Sequence, residues 1–249
     1  MLDKAFSMKM LILAVLFFLS NCTQKKQPAS QQPAPPVPIA PAKDTIAPAP
    51  PKPPAPPVAE QPPAPPDPDT TEWTELNRLD PTILLDLRYA TTNNFVSEKM
   101  YDCPRCFLRP EVAKAVLAAH KSLKKKGFGL KMYDCYRPRP IQWKLWNKVP
   151  DPDYVADPRK GSMHNRGMAV DLTIVDANGK ELDMGTDFDF FGERAYHDFT
   201  DLPEVVLKNR ELLLETMVAN GFRHTRTEWW HYSYVPKTFP LSDWLWDCK

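Results

Sequence analysis

Two short stretches hold residue types that do chemistry together. The first is Ser162-Met163-His164-Asn165-Arg166-Gly167-Met168-Ala169-Val170-Asp171. The second is Glu228-Trp229-Trp230-His231, near the C-terminus. Between them they offer two imidazoles, one carboxylate suited to ligation and one spare carboxylate. Those are the parts of a hydrolytic zinc site: three protein ligands, an open fourth position for water, and a base beside it. His164, Asp171 and His231 are the candidate ligands. Glu228 is the candidate base, because a hydrolytic metal keeps one position for water.

That chemistry constrains the elements that carry it. Seven extended residues span roughly 23 Å, so His164 and Asp171 meet on one ion only if the chain folds back between them. Asn165-Arg166-Gly167 offers the turn, with Gly167 free to take positive φ. Met168 to Val175 then reads as a strand, which puts Asp171 in an apolar run. A buried carboxylate there needs a partner, and a metal would be one. The aromatic residues flanking Glu228 and His231 favour a strand too. Positions three apart face opposite sides of a regular strand, so a bend or bulge is expected between those two.

Residues 1–22 read as a signal peptide. Lys4 and Lys9 supply positive charge, and Leu11 to Leu19 form an apolar stretch too short to span a bilayer. Leu19-Ser20-Asn21-Cys22 resembles a bacterial lipobox, although Asn21 departs from the small residue usual before the Cys. This implies export and a membrane anchor through a lipid on Cys22, with ordinary secretion as the alternative. Residues 23–70 hold 18 of the chain's 29 prolines. Such a stretch buries little and favours polyproline II, giving a spacer of roughly 130–150 Å.

Residues 71–249 are long enough for one folded domain. A strand is expected at Ile83 to Tyr89. A helix from Arg109 to about Lys126 buries Val112, Ala115, Val116, Ala119 and Leu123. Leu130 to Tyr133 reads as a strand. A second helix from Pro138 to Val149 carries Trp143 and Trp146 on one face. Asp176-Ala177-Asn178-Gly179 is a hairpin turn leading to residues 180–184. A long helix from Pro203 to Asn220 precedes a closing strand region, Phe222 to Tyr234. The fold class is α+β: a small, mainly antiparallel sheet with packed helices around a single zinc site.

Net charge is +1, with no basic cluster interleaved with aromatics, so no nucleic-acid partner is expected. Cys103, Cys106, Cys135 and Cys248 suggest two disulfides of three possible connectivities. A Cys103–Cys106 redox pair and a second zinc site are the alternatives. His120 reads as a surface residue. His197 and His224 lack motif support and read as structural.

The combined pattern, Ser162-x-His164-x-x-Gly167-x-Ala169-x-Asp171 with Glu228-x-x-His231, resembles the zinc D-Ala-D-Ala peptidase family. Three more stretches are similar to its dipeptidase branch. They are Asp86-Leu87-Arg88-Tyr89-Ala90-Thr91 with Asn94-Phe95, Asp134-Cys135-Tyr136-Arg137-Pro138, and Met184 to Phe190. The resemblance spans about residues 75–235. It implies one Zn2+ held by His164, Asp171 and His231, with Glu228 as catalytic base. It implies that Arg137 stabilises the oxygen that gains charge, and that Asp189 and Ser162 bind the substrate. Asp189 would take the free ammonium of a small dipeptide and so measure its length. Met163 departs from the small polar residue common before the first His. A D,D- or L,D-carboxypeptidase and a non-catalytic wall-binding lipoprotein are the competing readings.

Overall fold

Residues 72–248 are described by a computed structural model. The expected signal peptide at 1–22, Cys22 and the linker at 23–70 lie outside those residues. The central sheet has five strands: β2 (Leu84–Leu85), β4 (Gly129–Asp134), β5 (Ala169–Val175), β6 (Phe222–Thr225) and β7 (Glu228–Tyr234). Their order is β2-β4-β5-β7-β6, with only the β2–β4 pair parallel. Two further strands, β1 (Thr74–Glu75) and β3 (Phe107–Leu108), form a small antiparallel pair. The helices are α1 (Leu76–Leu79), α2 (Pro110–Lys124), α3 (Arg139–Lys148) and α4 (Glu204–Ala219). The α+β expectation holds.

Helix α2 begins with Pro at its first turn, where a missing N–H costs nothing, and ends before Gly127 at φ 82°. It packs on β4 and on α4. Its buried stripe contains Ala113, whereas Ala115 is only half-buried. The middle strand β5 is buried at all seven positions. Such a run belongs to a strand covered on both faces.

Several expectations need correction. The strand expected from Ile83 to Tyr89 shrinks to Leu84–Leu85, and Arg88–Ala90 form a 3-10 turn instead. That turn buries both Arg88, which pairs with Asp86 and Asp187, and Tyr89, whose hydroxyl reaches Asp189. In α3 the buried residues are Ile141, Gln142 and Leu145, while Trp143 and Trp146 are half-buried and Trp146 packs against the core. The Asp176–Gly179 turn forms, with Asp176 N–H donating to the Lys180 carbonyl at 2.8 Å. The returning segment makes only a single bridge, Val175 to Glu181. His120 is not on the surface. It is fully buried, its Nδ1 accepting from Leu130 N–H at 3.1 Å and its Nε2 bonded to Thr82 Oγ at 2.9 Å.

The cysteines form two disulfides, Cys103–Cys248 and Cys106–Cys135. Neither the Cys103–Cys106 redox pair nor a four-thiolate zinc site forms. The first bridge holds the C-terminal tail. The second ties the β3 region to the end of β4, directly under the site.

Candidate active site

Strand register brings the site together. Asp171 on β5 lies opposite His231 on β7 and opposite Asp134 on β4. Residues in register share a face of the sheet. Two irregularities make this alignment. On β4 the register shifts between Met132 and Asp134, so Tyr133 is the extra residue and Asp134 turns to the Asp171 side. On the β6–β7 pair the register jumps between His224 and Thr225, the irregularity expected beside Glu228. Bulges of this kind re-aim side chains.

His164 arrives from a 3-10 turn, His164–Arg166, closed by Gly167 at φ 67°. A Cβ on Gly167 would sit 2.4 Å from the Trp73 ring, so both conformation and space demand glycine there. Buried Asn165 fixes the turn. Its side chain donates to the Arg137 carbonyl at 2.7 Å and accepts from Ser162 N–H at 2.8 Å. The Ser162 hydroxyl accepts from Asn165 N–H at 3.3 Å. Ser162 thus serves the geometry of this turn, whatever it contributes to substrate.

The three candidate ligands converge. His164 Nε2 lies 3.2 Å from His231 Nδ1 and 3.3 Å from Asp171 Oδ2, and His231 Nδ1 lies 3.0 Å from Asp171 Oδ1. Two nitrogen ligands at about 2.0–2.1 Å from one tetrahedral zinc stand about 3.3 Å apart. The spacing therefore fits a divalent ion. The tautomers fit as well. His164 Nδ1–H donates to the Cys135 carbonyl at 2.7 Å, and His231 Nε2 pairs with Ser233 Oγ at 3.1 Å. Both lone pairs then face the common centre, an arrangement a shared cation stabilises. Burial pushes the Asp171 carboxyl up, but the two imidazoles outweigh burial and hold it below the ordinary aspartate range.

Glu228 stands beside this centre, its Oε2 3.7 Å from His231 Nδ1. Burial pushes its pKa up, the Asp171 charge adds to this, and His231 opposes. Its carboxyl borders a cavity of about 320 Å³ walled by Tyr154, Phe190, Phe191, Tyr196 and Thr227. Asp189 sits at φ 58° and accepts from the Tyr89 hydroxyl at 2.9 Å. Burial first, and then the Asp171 charge, push it well above the ordinary range.

Arg137 is buried and held on three sides. Its Nε and Nη2 donate to Asp134 Oδ2 at 2.9 Å, its Nη1 donates to Gln142 at 3.0 Å, and Tyr89 presents a ring face at 4.8 Å. Burial works most strongly against its charge, but Asp134 together with Tyr89, Tyr101 and Asp171 outweighs burial and keeps it protonated. Asp134 also accepts from the Tyr101 hydroxyl at 2.8 Å and lies 3.6 Å from His164 Nδ1. Asp134, Gln142, Tyr89 and Asn165 line the candidate site without having been given a chemical role from the sequence, although Tyr89, Asp134 and Asn165 stand within the motif stretches and Gln142 follows Arg137 by five residues.

The electrostatics ask for cations. Asp171, Asp189 and Glu228 bring three carboxylates to one cleft, and Asp134 already balances the one arginine.

The model for the family described as D-ala-D-ala dipeptidase, Peptidase M15, matches residues 69–243. The chain belongs to this family. It is 38% identical over 174 residues to the D-alanyl-D-alanine dipeptidase of Escherichia coli, covering 69% of this chain and 90% of that one. The D-alanyl-D-alanine dipeptidase of Enterococcus faecium is 30% identical over 191 residues, 68% of this chain and 95% of that one. The corresponding protein of Enterococcus faecalis is 30% identical over 176 residues, 62% of this chain and 87% of that one. The match to this peptidase family takes in every residue discussed in this site.

His197 lies behind Glu228. Its backbone N–H donates to the Arg226 carbonyl at 2.8 Å, and its ring packs on His224 at 4.5 Å. Burial, followed by the charges of His224 and Arg210, pushes its pKa down to about 4. An unfolded His titrates near 6.5. Between these values the unfolded chain binds a proton that the folded one does not, so stability falls as pH drops through that window. The expected loss from pH 7 to pH 4 is on the order of 2–3 kcal/mol. Urea unfolding at a series of pH values checks it: His197→Phe flattens this segment, and an unchanged pH slope in that variant would count against the assignment.

Proposed function

We propose that the chain is a zinc-dependent D-alanyl-D-alanine dipeptidase, hydrolysing the free D,D-dipeptide to two D-alanines. The observation that carries this reading is the convergence of His164, Asp171 and His231 at ligand spacing with Glu228 alongside. When bound, zinc would supply a Lewis acid for the scissile carbonyl and lower the pKa of water to about 7. Glu228 takes a proton from the attacking water and delivers it to the leaving amine, a task suited to a carboxyl whose pKa burial has raised. Arg137, fixed by Asp134 and Gln142, donates to the carbonyl oxygen as it gains negative charge. Asp189, held by Tyr89, accepts the ammonium of the substrate, whose positive charge offsets the burial and the Asp171 charge that otherwise disfavour its ionised form. A carboxylate at a fixed distance from the reacting centre favours a dipeptide and disfavours any peptide whose amine is blocked or displaced.

Export and a lipid anchor on Cys22 belong to the same reading. Two disulfides fit an oxidising compartment. Among the described residues no helix is long and apolar enough to cross a membrane, so attachment would come from residues before the domain.

The test is a substrate comparison with the zinc-loaded full chain and a chelated control. D-Ala-D-Ala, its N-acetylated form, L-Ala-L-Ala and a stem pentapeptide are assayed in parallel. Zinc-dependent cleavage of the free D,D-dipeptide alone is the expected result. Release of terminal D-Ala from the acetylated form or the pentapeptide would reassign the chain as a carboxypeptidase. Zinc binding with no cleavage would leave a binding module.

A further inference from the structure

Helix α4 supplies no group to the site, yet one of its side chains grips the segment that carries Asp189. Arg210 is 5% exposed, and its hydrogen bonds go to backbone carbonyls. Nε donates to Met184 at 2.8 Å, Nη2 to Arg194 at 2.7 Å and Nη1 to Tyr196 at 3.1 Å. These three carbonyls flank the stretch 185–193 on both sides, with Asp189 at its middle. A planar guanidinium can hold both flanks in one fixed geometry, which a lysine cannot.

Neighbouring contacts serve the same grip. Asn209 donates to the Asp183 carbonyl at 2.9 Å. Gly185 lies so close to α4 that a Cβ there would meet Val206 at 2.9 Å, and its φ is 82°. From the sheet side, Trp229 Nε1 donates to Thr186 Oγ at 2.8 Å. Apart from the three-residue 3-10 turn Glu193–Ala195, the segment from Asp183 to Phe199 has no regular structure of its own. Its order therefore comes from such ties, against a backbone entropy of about 1–2 kcal/mol per residue fixed.

We propose that Arg210 is a positioning residue for recognition of the substrate's amino end. By clasping the flanks of 185–193 it sets the distance from Asp189 to the metal ligands, and so the strictness with which a free dipeptide is preferred over an N-blocked one. This rests on the dipeptidase reading for its substrate, though the clasp itself is a property of the fold. Misplacing a recognition group by about 1 Å costs up to about 10²-fold.

The test compares wild type, Arg210→Met and Arg210→Lys in the zinc-loaded full chain. Arg210→Met is expected to raise KM for D-Ala-D-Ala about tenfold, with kcat within about threefold. Preference for the free over the N-acetylated dipeptide, read as KM for the first against the inhibition constant of the second, shrinks by a similar factor, and zinc content is unchanged. Amide exchange in 185–193 accelerates while β5 and β7 stay protected. Arg210→Lys recovers part of each effect. Gly185→Ala, which pushes the same segment off α4, reproduces them from the other side and serves should Arg210→Met not fold. Equal weakening of the free and the N-acetylated dipeptide, or a fall in kcat with KM unchanged, would mark a merely structural role and overturn the proposal. So would unchanged exchange in 185–193. Should wild type not cleave D-Ala-D-Ala, the dipeptidase reading fails separately. Exchange, which needs no substrate, still decides whether the clasp exists.

Discussion

Glu228→Ala retains the metal and loses turnover of D-Ala-D-Ala by roughly 10²–10⁴-fold, the usual worth of a positioned acid–base group. The geometry separates the two properties. The three ligands converge without Glu228, whose carboxyl stands 3.7 Å from the nearest ligand nitrogen. Its loss also removes one of three carboxylates from a crowded cleft, so folding and metal affinity are not expected to suffer. What disappears, on the proposed mechanism, is the group that moves the proton from water to the leaving amine. Glu228→Gln keeps the shape and should lose nearly as much, which separates packing from proton transfer. Metal content by atomic absorption, measured with kcat on the same samples, checks this. Wild-type-like hydrolysis by metal-replete Glu228→Ala would sink the mechanism.

The parts of the molecule legible in sequence were those that local chemistry dictates. Pro110 and Gly127 bracket α2 because one residue lacks an N–H and the other takes positive φ. The turn at Gly167, the apolar run around Asp171 and the irregularity between Glu228 and His231 followed from what two ligands on one ion require. The illegible parts depend on register and tertiary contact. Asp134 reaches the site only through the β4 bulge that lets Tyr133 pass as an extra residue. His120 looked like a surface residue in a lysine-rich helix, yet its ring is buried between Leu130, just past the end of that helix, and Thr82, 38 residues earlier in the chain. Nothing in the sequence of α3 marks Gln142, the fully buried polar residue there that holds Arg137. Arg210 carries no motif, and its role depends on three carbonyls that sequence cannot place. Disulfide connectivity is likewise a question of which strand ends meet.

Arg137→Met should weaken both catalysis and the fold, and a second substitution should pull the two apart. On the catalytic side, loss of a preorganised donor to the oxygen that gains charge costs about 10²–10³-fold in kcat. On the stability side, Asp134 is 1% exposed and would keep the Tyr101 hydroxyl but lose its charged partner. Breaking a buried ion pair from one side costs about 3–5 kcal/mol. Arg137→Lys should rescue poorly, because one ammonium cannot reach Asp134, Gln142 and the cleft together. Adding Asp134→Asn to Arg137→Met removes the stranded charge while leaving a polar group for Tyr101. The double variant is therefore expected to regain most of the lost stability in urea unfolding but none of the lost kcat. Recovery of both together would mean that Arg137 acts only by holding the fold. Wild-type kcat in the single variant would remove it from the reaction altogether.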